Sequence, residues 1–107
     1  MSATFIDIWI NCPEQETAQR IADACVEARL VACANIMGAI ASVYRWKGEV
    51  AHDGEVALAL KTRASLFDAV CEKVRELHPY EVPSIIAMEL PFVDAAYAEW
   101  LEAETRA

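Results

Sequence analysis

Glycine is scarce here: three residues in 107, too few for the glycine-rich loops that cradle phosphate with backbone N–H groups. No P-loop, G-x-G-x-x-G, G-x-S-x-G or H-E-x-x-H occurs, so the common fingerprints of nucleotide, hydrolase and zinc-protease chemistry are missing. An enzyme is not expected. Only two histidines are present, His52 and His78, 26 positions apart, which leaves no local paired-ligand motif. The cysteines Cys12, Cys25, Cys33 and Cys71 form no C-x-x-C pair and no zinc-finger spacing. They read as the reduced thiols of a cytoplasmic protein. Cys25 and Cys71 fall on apolar helix faces, where a free thiol behaves as a small hydrophobe. Basic residues are few as well. Nine Lys and Arg against seventeen Asp and Glu leave a formal net charge of −8, the wrong sign for a grip on nucleic acid or anionic lipid. No apolar run approaches the ~18 residues of a membrane span, and Asp7 comes too early for the apolar region of a signal peptide.

What the chain does have is apolar residues, 56% of the total. That exceeds the usual range and fits a single small domain over 1–107 that also buries surface against partners. The stretch from Ala32 to Arg63 is rich in Val, Ile, Ala and aromatics, contains no Pro, and has Lys47-Gly48 near its middle. Two long β-prone runs around a two-residue glycine-containing link predict a hairpin. Each arm could run about 15 residues, roughly 50 Å. A helix of about 14 residues spans only ~21 Å. The distal half of the hairpin therefore outruns any helix of its own chain, and further copies of the chain are expected to cover it.

The remaining elements follow from periodicity. Thr4 to Cys12 alternates as a strand with Ile6, Ile8 and Ile10 on one face. Pro13, as the first helical residue, and the acidic Glu14 and Glu16 then open a helix to about Arg29, with Ala18, Ile21, Ala22, Cys25 and Val26 inward. Gly38 marks a bulge in the first hairpin arm, and Ala51 to Gly54 suggests a second irregularity. A helix follows from Ser65 to Leu77, with Ser65 and Asp68 spaced as a capping box. Pro79 ends it, Ser84 to Leu90 makes the last strand, and Asp94 caps a terminal helix with Tyr97, Trp100 and Leu101 on its apolar side. The order βαββαβ plus a C-terminal helix predicts an α+β, ferredoxin-like sandwich, one sheet face carrying helices and the other buried between subunits.

Three places could carry chemistry. The segment LHPYEVP at 77–83 displays His78, Tyr80 and Glu81 on a loop stiffened by two prolines. A neutral imidazole there suits copper or zinc, completed by a thiolate or carboxylate. Equally, His78 closes the helix and Tyr80 docks on the sheet. Tyr44 and Trp46 stand side by side near the hairpin tip, as walls of a ligand cleft or as interface anchors. Lys61 sits among apolar residues, where it could hold an anion or an acidic group between subunits, or equally begin the solvent-facing edge. His52, Glu14, Glu16, Asp53 and Glu55 read as exposed, solvated surface.

Taken together, P-E-Q-E-T-A at 13–18, A-R-L-V-A-C-A-N-I at 28–36, S-V-Y-R-W-K-G-E at 42–49, A-L-K-T-R at 59–63, L-H-P-Y-E-V-P at 77–83 and Y-A-E-W-L at 97–101 resemble the CutA divalent-cation tolerance family. The likeness covers nearly the whole chain, in order. It implies a ferredoxin-like subunit, a tight homotrimer built like the PII signalling proteins, and a part in tolerance of divalent metals, copper especially. By position it makes His78 the copper-ligand candidate. It also points to Cys33, Lys61, Tyr80, Glu81, Trp46 and Trp100 as recurrent positions. The thiol associated with the end of the first strand is not matched: Ile10 stands there, and Cys12, two residues on and on the same face, is the substitute. Two site expectations result. One is a metal ion, copper or another divalent cation, at His78 and Cys12. The other is a PII-type small-molecule cleft between subunits near Lys61, Tyr80, Glu81 and Trp46, with a small molecule or an unidentified protein as partner.

Overall fold

The structure, a computed structural model, describes residues 3–107. Its elements are β1 (Phe5–Cys12), α1 (Gln15–Glu27), β2 (Cys33–Trp46), β3 (Glu49–Arg63), a 3-10 turn (Ala64–Leu66), α2 (Phe67–Leu77), β4 (Ile85–Glu89) and α3 (Ala95–Glu104). The four strands form one antiparallel sheet in the order β2-β3-β1-β4. Its period-2 pattern sorts the residues by face. Ile6, Ile8, Ile10 and Cys12 of β1 join Leu58 and Leu60 of β3, Ile21 and Cys25 of α1, and Val70 and Val74 of α2 in one core. Both of these helices thus cover the same side. The other side carries Trp9 opposite Ile86 and Asp7 opposite Met88, and Ile86 and Met88 are exposed. No helix among the described residues is long and apolar enough to cross a membrane.

Local chemistry explains the element ends, and several differ from expectation. Glu14, not Pro13, is the boundary of α1. Its backbone is extended, and its carboxylate accepts from the Thr17 N–H at 3.1 Å and from the Thr17 hydroxyl, satisfying donors the first turn leaves free. Pro13 lies one residue outside. The helix stops at Glu27 because Arg29 takes a left-handed conformation (φ 59). Leu30 N–H then bonds Cys25 O, and Arg29 N–H bonds Val26 O, which is the Schellman closure with arginine in the usual glycine place. Val26 is exposed rather than inward. The Ser65–Asp68 capping box does not form: a 3-10 turn precedes α2, whose boundary residue Leu66 offers no side-chain acceptor. In α3, Asp94 does cap, accepting from Tyr97 N–H at 3.3 Å. Of its expected apolar side only Leu101 is buried, while Tyr97 and Trp100 stack on each other in the open.

The long hairpin is present, with arms of 14 and 15 residues. Lys47 (φ 49) and Gly48 (φ 85) link them in the two-residue turn whose backbone twist matches that of paired strands. Gly38 makes the expected bulge. The register shifts between Ile36 and Gly38, with φ 98 at the glycine. The second irregularity is absent, and pairing runs unbroken through Ala51, His52, Asp53 and Gly54. Pairing of β1 with β3 ends at Cys12 and Val56. Among the described residues, 49–55 pair with β2 alone, and the sheet narrows there from four strands to a two-stranded ribbon. Val43 and Val50 on that ribbon are exposed.

Candidate functional site

The step where the sheet narrows is bridged by the loop from α2 to β4, and His78 pins that loop down. Its ring is buried. Nε2 lies 2.8 Å from the Asn11 carbonyl oxygen, and Nδ1 lies 3.2 Å from the Tyr80 backbone nitrogen. A carbonyl only accepts and an amide N–H only donates. The ring is therefore the neutral tautomer with its proton on Nε2, and both nitrogens are in use. The Tyr80 ring meets the His78 ring edge-on at 4.7 Å. Its hydroxyl donates to Glu55 Oε2 at 3.2 Å. Burial, followed by the nearby Glu55 charge, pushes the Tyr80 phenol up to about 12, so it remains a donor at neutral pH. On the facing strand the Tyr44 hydroxyl donates to Asp53, the main reason its own pKa is raised.

Beside them opens a cleft of about 710 Å³ whose lining includes Asn11, Ser42, Tyr44, Trp46, Glu55, Tyr80 and Glu81, within the usual size range of small-molecule sites. Trp46, Tyr80 and Glu81, grouped from the sequence, do meet here. Lys61 does not. It pairs with Asp7 and Cys33 at the opposite end of β3 and donates to Asn35 Oδ1 at 3.1 Å. Glu55, read as solvated surface, is 6% exposed and is the centre of the site. Its signal was its place in the alternation with Ala57 and Ala59, both buried. Asn11 was not singled out, because it contributes through its backbone carbonyl, which no side-chain pattern reveals.

The copper pair fares differently. Cys12 is fully buried in the helix-side core. Burial, and then the charges of Glu14 and Glu55, push its thiol up to about 11, whereas a metal ligand must be the thiolate. His78 has no lone pair free without breaking its bond to Tyr80. Among the described residues no three His, Cys, Asp or Glu side chains gather to hold a metal ion. Within one subunit, His78 and Cys12 would take a metal ion only with the Tyr80 N–H bond to Nδ1 opened and the Cys12 thiol deprotonated. Cys33, paired with Lys61 across β2 and β3, is half-buried.

Comparison with known proteins agrees with the geometry of the chain. The family model described as CutA1 divalent ion tolerance protein matches residues 6–104. A Thermus thermophilus protein named divalent-cation tolerance protein CutA is 43% identical over 92% of this chain and 95% of its own length. Human Protein CutA is 40% identical over 91% of this chain, which spans only 54% of that protein. Among solved structures, CutA1 from Oryza sativa superposes with a TM-score of 0.94 at 39% identity, covering 98% of this chain and 96% of that one. The Thermus thermophilus structure gives 0.93 at 41% identity, covering 95% and 99%.

Proposed function

This chain belongs to the CutA1 divalent ion tolerance family, and from that premise we propose that it serves divalent-cation tolerance in the cytoplasm as a homotrimer of ferredoxin-like subunits, assembled as in PII proteins. It does so without enzymatic activity, by binding a small molecule in the cleft under Trp46 and Tyr80, not by holding copper at His78 and Cys12.

The observation that carries the cleft reading is the contrast between the two places. One gathers three aromatic rings and a buried carboxylate around open space. The other offers a protonated thiol and an imidazole with both nitrogens engaged. The trimer is supported by apolar surface that one subunit leaves bare: Ile86 and Met88 on the sheet face away from α1 and α2, and Val43 and Val50 on the ribbon. Water contact with such patches is costly, and burial between copies removes it. Metal tolerance comes from the names of the relatives. Tolerance exercised through a sensor of this kind would be indirect.

Light scattering should return three times the mass of one chain. A thermal-shift screen of metabolites should raise the midpoint, since a ligand that prefers the folded state stabilises it. Calorimetry with Cu(II) should give the same affinity for native protein and His78→Ala. Loss of copper binding in that variant, with no metabolite shift, would return the metal to His78 and overturn the cleft reading.

A further inference from the structure

We infer that the cleft selects a small organic ammonium ion, taken between the Trp46 and Tyr80 rings and the Glu55 carboxylate, and that Lys47 is a displaceable occupant of its rim. The inference rests on the cleft reading above and deepens it by naming the ligand class.

Four observations point the same way. Among the described residues of one subunit, Glu55 and Glu81 line the cavity, and no Lys or Arg does. In a chain of net charge −8 this repels anions and attracts cations. Aromatic faces come next: Tyr44, Trp46 and Tyr80 contribute rings, and ring faces attract ammonium groups through their quadrupoles. Glu55 has only one oxygen engaged by the Tyr80 hydroxyl, leaving Oε1 to a second donor. Finally, the protein already performs the recognition with its own ammonium. Lys47 Nζ lies 5.6 Å from the Trp46 ring centroid and 3.7 Å from Glu81 Oε2. Both partners line the cavity, while Lys47 itself is largely exposed and sits on the hairpin turn. A tenant so lightly held yields to a better one. Aromatic faces favour a weakly hydrated organic cation over a divalent metal ion, which demands more oxygen ligands than two carboxylates and a hydroxyl supply.

Choline, as the probe, is titrated into the native protein and followed by amide NMR spectra, alongside its uncharged carbon isostere dimethylbutanol. Choline should shift the Ser42, Tyr80 and Glu81 resonances to saturation, and the isostere should bind on the order of tenfold more weakly. Glu55→Gln, which keeps an acceptor for the Tyr80 hydroxyl, should abolish most of that difference. Lys47→Met, an exposed change, should tighten choline by a few fold, and it keeps the test alive if the Glu55 variant fails to fold. Equal affinities for choline and its isostere would refute ammonium selectivity while leaving a small-molecule cleft in place. No shift at these resonances with either probe, together with a metabolite screen that also leaves them unmoved, would sink both.

Discussion

Replacing His78 by Ala tests whether this residue is a clamp or a metal ligand. The change deletes the Nε2–H bond to the Asn11 carbonyl at 2.8 Å and the Nδ1 acceptor for the Tyr80 N–H at 3.2 Å. At about 0.5–1.5 kcal/mol each, these two bonds amount to roughly 1–3 kcal/mol. The space left by a buried ring adds on the order of 1 kcal/mol, for a total of about 2–4 kcal/mol. With a urea slope of about 2 kcal/mol per M, the unfolding midpoint should fall by ~1–2 M at fixed protein concentration. The partial replacements sharpen the assignment. Gln places its amide N–H near the Nε2 position and should restore part of the Asn11 bond. Asn places its oxygen near Nδ1 and should restore part of the Tyr80 bond. Equilibrium urea denaturation of all three variants, followed by circular dichroism, reads these differences. An unmoved midpoint in His78→Ala, combined with lost Cu(II) affinity in calorimetry, would refute the clamp.

Three other outcomes follow from the geometry. The Cys12 and Cys25 thiols are each pushed from 9.0 to about 11 by burial, so above pH 9 the unfolded chain sheds protons that the native chain keeps. Stability should be full below pH 9 and decline towards pH 11, and Cys12→Ala should flatten that decline in urea midpoints measured across the range. At the hairpin tip, Gly48→Ala puts a Cβ at φ 85 and should cost ~1 kcal/mol, while Lys47→Asn suits φ 49 better and should stabilise by about 0.5 kcal/mol in thermal unfolding. Arg63 ties the C-terminal end to the sheet, donating to Thr105 Oγ1 at 2.9 Å, to Thr105 O at 3.0 Å and to Arg106 O. Arg63→Met should speed hydrogen exchange throughout α3 and leave the β1–β3 ladder protected.

Most of the fold was legible because its elements carry strong local signals. Alternation in TFIDIWINC, the prolines at 13 and 79, the glycine at 38 and the Lys47-Gly48 turn each act within a few residues. The errors fell at helix starts, where several acceptors compete for the same free N–H groups: Glu14 won over a proline start, and Ser65 lost to a 3-10 turn. The site was legible in part. Tyr80, Glu81 and Trp46 were found as a motif and a pair of aromatics, although 34 positions separate Trp46 from Tyr80. Within one subunit Lys61 lies at the far end of β3 from them, since sharing a strand does not mean sharing an end of it. Glu55 was misread because a carboxylate among acidic neighbours looks solvated until a loop is laid over it.

By itself, the amino-acid order determined which residues are strand and helix, which face of each is apolar, and that the hairpin exceeds its own cover. Those properties depend on side-chain period and on lengths along the chain. Only the tertiary structure decided that both His78 nitrogens are occupied, that Cys12 is sealed, and that Glu55 faces a cavity. Each of these depends on a partner far away in the chain: Asn11 for His78, the α1–α2 core for Cys12, Tyr80 for Glu55. Protonation state and ligand capacity are set by such neighbours, and distance in space is a quantity that spacing in sequence does not carry.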